Sequence, residues 1–372
     1  MKENNNTKLR FHWMLPKAGE VQKINSQTAK DAAEYRLNAP KNPTTYSVDI
    51  EGWKYFAEIA EEAGIEGVLI SFSTYEPDPT TVACALGAVT KSLKYILAFR
   101  SGLMKPPVMV QQINTLSGLI DGRLLLNTVA GSSKSEQYSY GDFLNHDDRY
   151  ERAGEFLSVC NALWNSDEEV NFSGKHYKVE KGMVYPPFKS PDRKVPELFV
   201  SGHSKAAKDL AVSQGTCWLR VIDTPEKIES TVKEILSQGI EVCLRLGMIC
   251  RATRAEALNV IEDILSLATD KDKNISVPNR QDSQMYQEAK KNKEDVWRSR
   301  NIYTGFTPYF GPVWTMLVGT PDELVDVFME YKKMGITQFI ISGFPEVDEV
   351  NNFGKEILPK LRKAEEAYLN NA

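Results

Sequence analysis

The 372-residue chain has only five cysteines and four histidines, no run of 18 consecutive apolar residues and no excess of basic charge. The thiols, Cys84, Cys160, Cys217, Cys243 and Cys250, are odd in number and show no CxxC spacing, which argues against both a disulfide framework and a thiolate metal site. Lying mostly in apolar stretches, they read as buried thiols in a reducing compartment. His146 precedes Asp147 and Asp148, but no second histidine stands at ligand spacing, so no metal centre is expected. With 45 Lys and Arg against 50 Asp and Glu, the formal charge of −5 offers no footprint for a nucleic-acid backbone. The missing long apolar run excludes an ordinary membrane-spanning helix. Glu3-Asn4-Asn5-Asn6 contains no apolar signal core, so a cytoplasmic location is expected. No glycine-rich dinucleotide fingerprint follows any strand-like run, which counts against a Rossmann sheet.

What is present is a repeated strand-helix rhythm in a chain of ordinary composition, 42% hydrophobic and 26% charged. Strand-like runs occupy residues 9–15, 67–71, 94–99, 123–129, 197–200, 217–221, 241–250 and 337–342. Between them the apolar spacing predicts helices over 50–63, 80–88, 108–120, 149–164, 205–213, 225–237, 255–268 and 322–334, with a last helix from Glu349 to about Ala367. Eight such units predict a (β/α)8 TIM barrel, one domain spanning residues 1–372. Three excursions break the rhythm. One is polar, from Lys17 to about Tyr46. One is rich in Pro and Lys and passes Pro186, Pro187 and Pro191, suggesting a surface hairpin or loop. The third, about residues 269–316, is polar and then aromatic, and reads as an insertion forming a mobile lid before the last strand.

A barrel of this kind builds its site at the C-terminal strand ends. There stand His12 and Met14, Ser71 to Glu76, Arg100, Asn127 to Ser132, Ser201 to Ser204, Arg220, Arg245, and Ser342 to Phe344. Ser201-Gly202-His203-Ser204 joins a strand directly to a helix, which suits either a phosphate cradle or a plain N-cap at Ser204. Asn127-Thr128-Val129-Ala130-Gly131 suits a flat polar ring or an ordinary turn. Arg245, within an apolar strand, needs either a salt-bridge partner or a ligand. Phe306, Tyr309, Phe310, Trp297 and Trp314 either shield an apolar substrate or pack the insertion on the barrel.

Several of these stretches resemble the bacterial luciferase-like flavin monooxygenases, in particular the alkanesulfonate monooxygenase branch. The likeness rests on Phe11-His12-Trp13-Met14-Leu15-Pro16, Gly64 to Ile70, Leu126 to Ser132, His146 to Glu151, Phe172-Ser173-Gly174-Lys175-His176, Ser201 to Ser204, Leu317-Val318-Gly319 and Ile341 to Pro345, in that order along nearly the whole chain. The resemblance implies a two-component enzyme. A separate flavin reductase supplies FMN as FMNH2, O2 reacts with it, and a C4a-(hydro)peroxyflavin passes one oxygen atom to a small organic substrate. It also implies a homodimer or homotetramer. Asn127 and Thr128, with Ser71, would lie near the flavin. Tyr150, Ser201, Gly202 and Ser204 match positions that hold the FMN phosphate, and His203 interrupts the family's polar pair there. Four departures from the sulfonate enzymes stand out. The cysteine after the second strand corresponds to Glu76, the histidine two residues beyond Arg245 is Gly247, the tyrosine of the SGYP motif is Phe344, and the lid arginine is Phe310.

These replacements remove donors that a sulfonate needs and leave an aromatic mouth lined by Phe310, Trp314 and Phe344. The expected substrate is therefore not an alkanesulfonate but a larger or less anionic compound, such as an acyl or aminoacyl biosynthetic intermediate, free or tethered to a carrier protein. His12, Glu76 and Arg245 are the catalytic candidates. Arg245 would stabilise an anion and Glu76 would act as a base. Two alternatives are a hydride-transferring oxidoreductase using coenzyme F420 and a non-catalytic flavin-binding barrel.

Overall fold

The computed structural model describes residues 7–17, 20–21, 28–38, 48–74, 76–131, 133–269, 283–291 and 295–370. Its strands are β1 (Arg10–Met14), β2 (Gly67–Ile70), β3 (Lys94–Phe99), β4 (Leu124–Thr128), β5 (Val170–Ser173), β6 (Lys178–Gly182), β7 (Glu197–Ser201), β8 (Cys217–Val221), β9 (Glu241–Cys250), β10 (Ile302–Tyr303), β11 (Met316–Gly319) and β12 (Gln338–Gly343). Eight of them pair in parallel, β1-β2-β3-β4-β7-β8-β9-β12, and β12 returns to β1, which closes the barrel. These are the eight strands expected from the sequence.

The helices are α1 (Ala29–Asn38), α2 (Ile50–Glu62), α3 (Pro79–Gly87), α4 (Pro106–Leu119), α5 (Lys134–Ser139), α6 (His146–Asn165), α7 (Lys205–Gln214), α8 (Pro225–Ser237), α9 (Arg254–Leu267), α10 (Gln284–Lys291), α11 (Thr307–Phe310), α12 (Pro321–Lys333), α13 (Glu346–Asn352) and α14 (Leu358–Asn370). Local chemistry sets several starts. Asp78, Asn145 and Ser204 cap α3, α6 and α7, while Thr253 with Glu256 and Thr320 with Glu323 form full capping boxes on α9 and α12.

Every barrel strand is buried on both faces, which is why the strands read as continuous apolar runs. Leu69, Ile96, Leu125, Phe199, Cys243 and Ile340 fill the interior. Trp13, Val68, Leu126, Val200, Leu244 and Ile341 pack outward in the larger core that includes helix residues such as Phe56, Phe156 and Phe328. The floor is polar. Arg10, Glu197, Glu241 and Gln338 are the first residues of their strands, and Arg10 and Gln338 both donate to Glu197 at 2.9 Å.

Three features depart from the sequence reading. The polar excursion after β1 contains α1, which buries Ala32 and Ala33 against Ile261 and Ile264 of α9. The helix expected from Glu349 starts at Glu346 and passes through a π turn over Phe353–Ile357. Cys84 is exposed on α3, whereas the other four thiols are buried. The Pro- and Lys-rich stretch follows an antiparallel hairpin, β5-β6. Of the insertion, α10, β10 and α11 are described, while 270–282 and 292–294 lie outside the described residues. Its end forms β11, which pairs in parallel with the distal half of β9. Among the described residues no helix is long and apolar enough to cross a membrane.

Candidate functional site

The C-terminal end of β7 brings together four of the residues singled out for a phosphate. Ser201 Oγ donates to Asn127 Oδ1 at 2.7 Å, which ties the ends of β7 and β4. Gly202 has φ +143°, and a Cβ there would lie 2.7 Å from both Tyr150 Oη and Ala207 Cβ. Only a residue without a side chain allows that approach. Ser204 caps α7 by accepting from the Ala207 amide at 3.2 Å. Tyr150, from α6, points its hydroxyl at Ser201 O at 3.4 Å. Burial pushes its pKa up to about 12, so the hydroxyl stays a donor. These groups stand beside the first turn of α7.

His203 faces the other way. Its Nε2 accepts from the Val221 amide at 3.1 Å, so Nδ1 carries the proton and donates to Glu288 of α10 at 3.2 Å. Burial lowers its pKa and keeps the ring neutral. The residue thus joins the insertion to the barrel and does not line the cradle.

Strand alternation separates the β4 pair: Asn127 follows Leu125 into the barrel, and Thr128 turns outward with Leu124 and Leu126. Ser71 and Glu76 share a small cavity with Leu15, Pro16 and Lys17 at the end of β2. Glu76 there pairs with Lys17 Nζ at 3.2 Å.

Arg245 is buried near the upper end of the barrel. Its guanidinium donates to Ser342 Oγ and to the carbonyls of Leu246 and Ile340, and no carboxylate pairs with it among the described residues. Desolvation lowers its pKa to about 10, against the raising influence of Glu346. The remaining charge is directed toward a ligand or must be borne by carbonyl dipoles alone.

His12 is fully buried on the floor side. Gln338 spends its amide nitrogen on Glu197, so its oxygen receives the His12 Nε2 proton at 3.0 Å. Nδ1 carries a lone pair without a partner. Burial lowers the pKa to about 4. His12, Glu76 and Arg245 therefore occupy three separate settings and share no hydrogen bond.

Trp314 and Phe344 are buried in the core shared with α1 and α9, their tilted rings 4.3 Å apart at the centroids, and Phe310 stands 5.4 Å from Phe344. Arg36 of α1 lies 4.2 Å over Trp314 and forms ion pairs at 2.8 Å with Glu20 and Glu346. Glu346 also accepts from Trp13 Nε1 at 2.6 Å. At Gly247 a Cβ would fall 2.1 Å from Met316 Sδ and 3.6 Å from Trp314 Cε3. Met316 thus fills the space that a larger residue at 247 would need. None of Arg36, Glu346 or Met316 was legible as a site residue, because the contacts span the whole chain.

The ligand atoms of Glu151, Glu155 and His176 lie within 4.8 Å of one another. Glu155 already accepts from the amides of Lys175, His176 and Tyr177, and Glu151 accepts from Lys175 Nζ at 2.7 Å. The group fastens the turn between β5 and β6 to α6.

Comparison with known proteins gives a match to the family model for luciferase-like monooxygenases over residues 35–338. The chain shares its fold with EDTA monooxygenase from Chelativorans sp. BNC1, at 19% identity and TM-score 0.75, covering 96% of this chain and 94% of that one. A riboflavin lyase crystallised with modified FMN and riboflavin matches at 18% identity and TM-score 0.74, covering 96% and 92%. An F420-dependent secondary alcohol dehydrogenase matches at 17% identity and TM-score 0.62, covering 95% and 99%.

Proposed function

Since the chain belongs to the luciferase-like monooxygenase family, we propose that it is a two-component monooxygenase that takes FMNH2 from a separate flavin reductase and uses O2 to oxygenate a small organic substrate. One observation carries this reading. The turn of Ser201, Gly202 and Ser204 runs against Tyr150 so closely that position 202 has no room for a Cβ, an approach that suits a phosphate held by a helix start. The residues present fit the phosphate of FMN, with Asn127 inward on the neighbouring strand to meet the ring. Reduced FMN, when bound, supplies the electrons that activate O2.

The chain's own groups then have defined tasks. Tyr150 and Ser204 donate to the phosphate, and the α7 amides add the helix dipole. Arg245 holds negative charge that develops on substrate or oxygen in a dry barrel, where a guanidinium without a carboxylate partner acts most strongly. Glu76, steadied by Lys17, is proposed as the proton acceptor at the mouth. His12 supports the floor beneath them. The insertion, latched through His203 and Glu288, serves as a lid that keeps water out.

An alkanesulfonate is disfavoured as substrate. Met316 fills the space at Gly247, and Phe310 and Phe344 present carbon where the sulfonate enzymes present an arginine and a phenol. An apolar or aromatic-bearing acyl or aminoacyl compound is the proposed substrate, free or carried by a carrier protein, and a homodimer or homotetramer is the proposed assembly. The test is anaerobic mixing with FMNH2 followed by oxygen, with flavin absorbance recorded over time. Reoxidation slower than that of free FMNH2 supports the reading. Reoxidation at the free rate refutes it and favours coenzyme F420 or a non-catalytic barrel, which binding titrations with F420 and FMN distinguish.

A further inference from the structure

Arg100 takes no part in the site described above. It follows β3 on the inward face shared by Ile96 and Ala98, and its side chain is 6% exposed. Nη2 donates to Glu136 Oε2 of α5 at 2.6 Å. The other oxygen of Glu136 accepts from the Thr74 amide at 3.1 Å, so the carboxylate is fixed between two loops. Among the described residues Nε and Nη1 meet no acceptor. The rings of Phe72 and Tyr140 stand 5.4 and 5.2 Å from the guanidinium carbon and shield it without offering an oxygen. Buried donors on a charged group are costly to leave unmade, which points to a ligand that completes them.

Position narrows the ligand. Ala98 of β3 is in register with Asn127 of β4, and Asn127 with Phe199 of β7, two residues before Ser201. From the cradle to Arg100 is two strand spacings, about 10 Å. A phosphate at the end of β7, joined by a short polyol chain to a ring over Asn127, would bring an edge of that ring toward β3.

Resting on the FMN reading above, we propose that Arg100 donates from Nη1 to the N1–C2=O edge of the flavin and that its charge favours the reduced form. In oxidised FMN that edge is a pair of neutral acceptors. In reduced FMN the N1 proton is lost near neutrality and the edge becomes anionic, so donors in a shielded site hold it more strongly. Glu136 aims the guanidinium through Nη2 and leaves Nη1 for the flavin. The protein thereby retains the reduced flavin delivered to it and releases the oxidised one.

The experiment measures dissociation constants for FMN and, anaerobically, FMNH2 with the full-length wild type and the variants R100K, R100M and E136Q. R100K keeps a charge beside Glu136 but lacks the spare guanidinium donors. Both Arg100 variants are expected to lose at least about tenfold in FMNH2 affinity and less than about threefold in FMN affinity. E136Q, which removes a competing negative charge, is expected to tighten FMNH2. Should R100M not fold, R100K and E136Q decide the matter. Equal shifts for both flavin forms, or none, in variants that melt like wild type overturn the assignment and leave the FMN reading standing. Failure of the wild type to bind either form overturns both.

Discussion

Gly202→Ala is the sharpest test of the cradle. The new methyl would stand 2.7 Å from Tyr150 Oη and 2.7 Å from Ala207 Cβ, on a residue held at φ +143°. Backbone strain at such a φ costs about 1–3 kcal/mol for a residue with a Cβ. Overpacking against two neighbours adds about 1–3 kcal/mol, for a total of roughly 2–6 kcal/mol. Part of this is borne by pushing the Tyr150 hydroxyl out of the cradle, so FMN affinity falls with stability. Urea denaturation gives the first quantity and FMN fluorescence titration the second. Tyr150→Phe in the same background removes one clash but neither the φ strain nor the Ala207 contact, so the double variant recovers only part of the stability and none of the phosphate donor. A Gly202→Ala protein within about 0.5 kcal/mol of wild type and with unchanged FMN affinity would refute the close-approach argument.

Gly247→His should destabilise by about 1–3 kcal/mol because Met316 Sδ occupies the space, and Met316→Ala should relieve most of that cost; no rescue in the double variant means the two positions do not compete. Two buried groups give opposite pH slopes. His12 titrates near 4 when folded, below its usual 6.5, so its contribution is complete above pH 6.5 and is lost, by up to about 3 kcal/mol, as pH falls to 4. Glu346 is raised to about 7 from 4.5 by burial, so it disfavours the fold increasingly as pH climbs from 4.5 to 7. Relative to wild type, His12→Gln should therefore gain stability at pH 5 compared with pH 7, and Glu346→Gln should do the reverse; denaturation midpoints that move alike in both variants rule this out. Glu288→Ala unties α10 from His203 and should speed proteolytic cutting within the insertion while shifting the melting temperature little. Unchanged cutting would mean that this hydrogen bond is not a latch.

The barrel was legible because each of its eight strands is buried on both faces and each following helix has an amphipathic face, so residues such as Val68, Leu69 and Ile70 announce their setting within a few positions. The capped turn after β7 was legible for a similar reason. Strand end, glycine, cap and helix are contiguous from Ser201 to Ala207, and their chemistry is local. α1 was not, since its burial depends on α9, more than 200 residues away in sequence, and its own apolar pattern is weak.

By itself, then, the sequence determined the strand-helix rhythm, the closed parallel architecture and the glycine-bearing, capped turn after β7, all set by short-range periodicity and by backbone conformations that few residues adopt. Tertiary structure alone decided which polar residues face one another. It put His12 on the floor with Gln338, turned His203 toward Glu288, filled the space at Gly247 with Met316 and left two nitrogens of Arg100 without acceptors. Those outcomes depend on which strand closes against which and on side-chain direction across distant segments, and no local pattern encodes them.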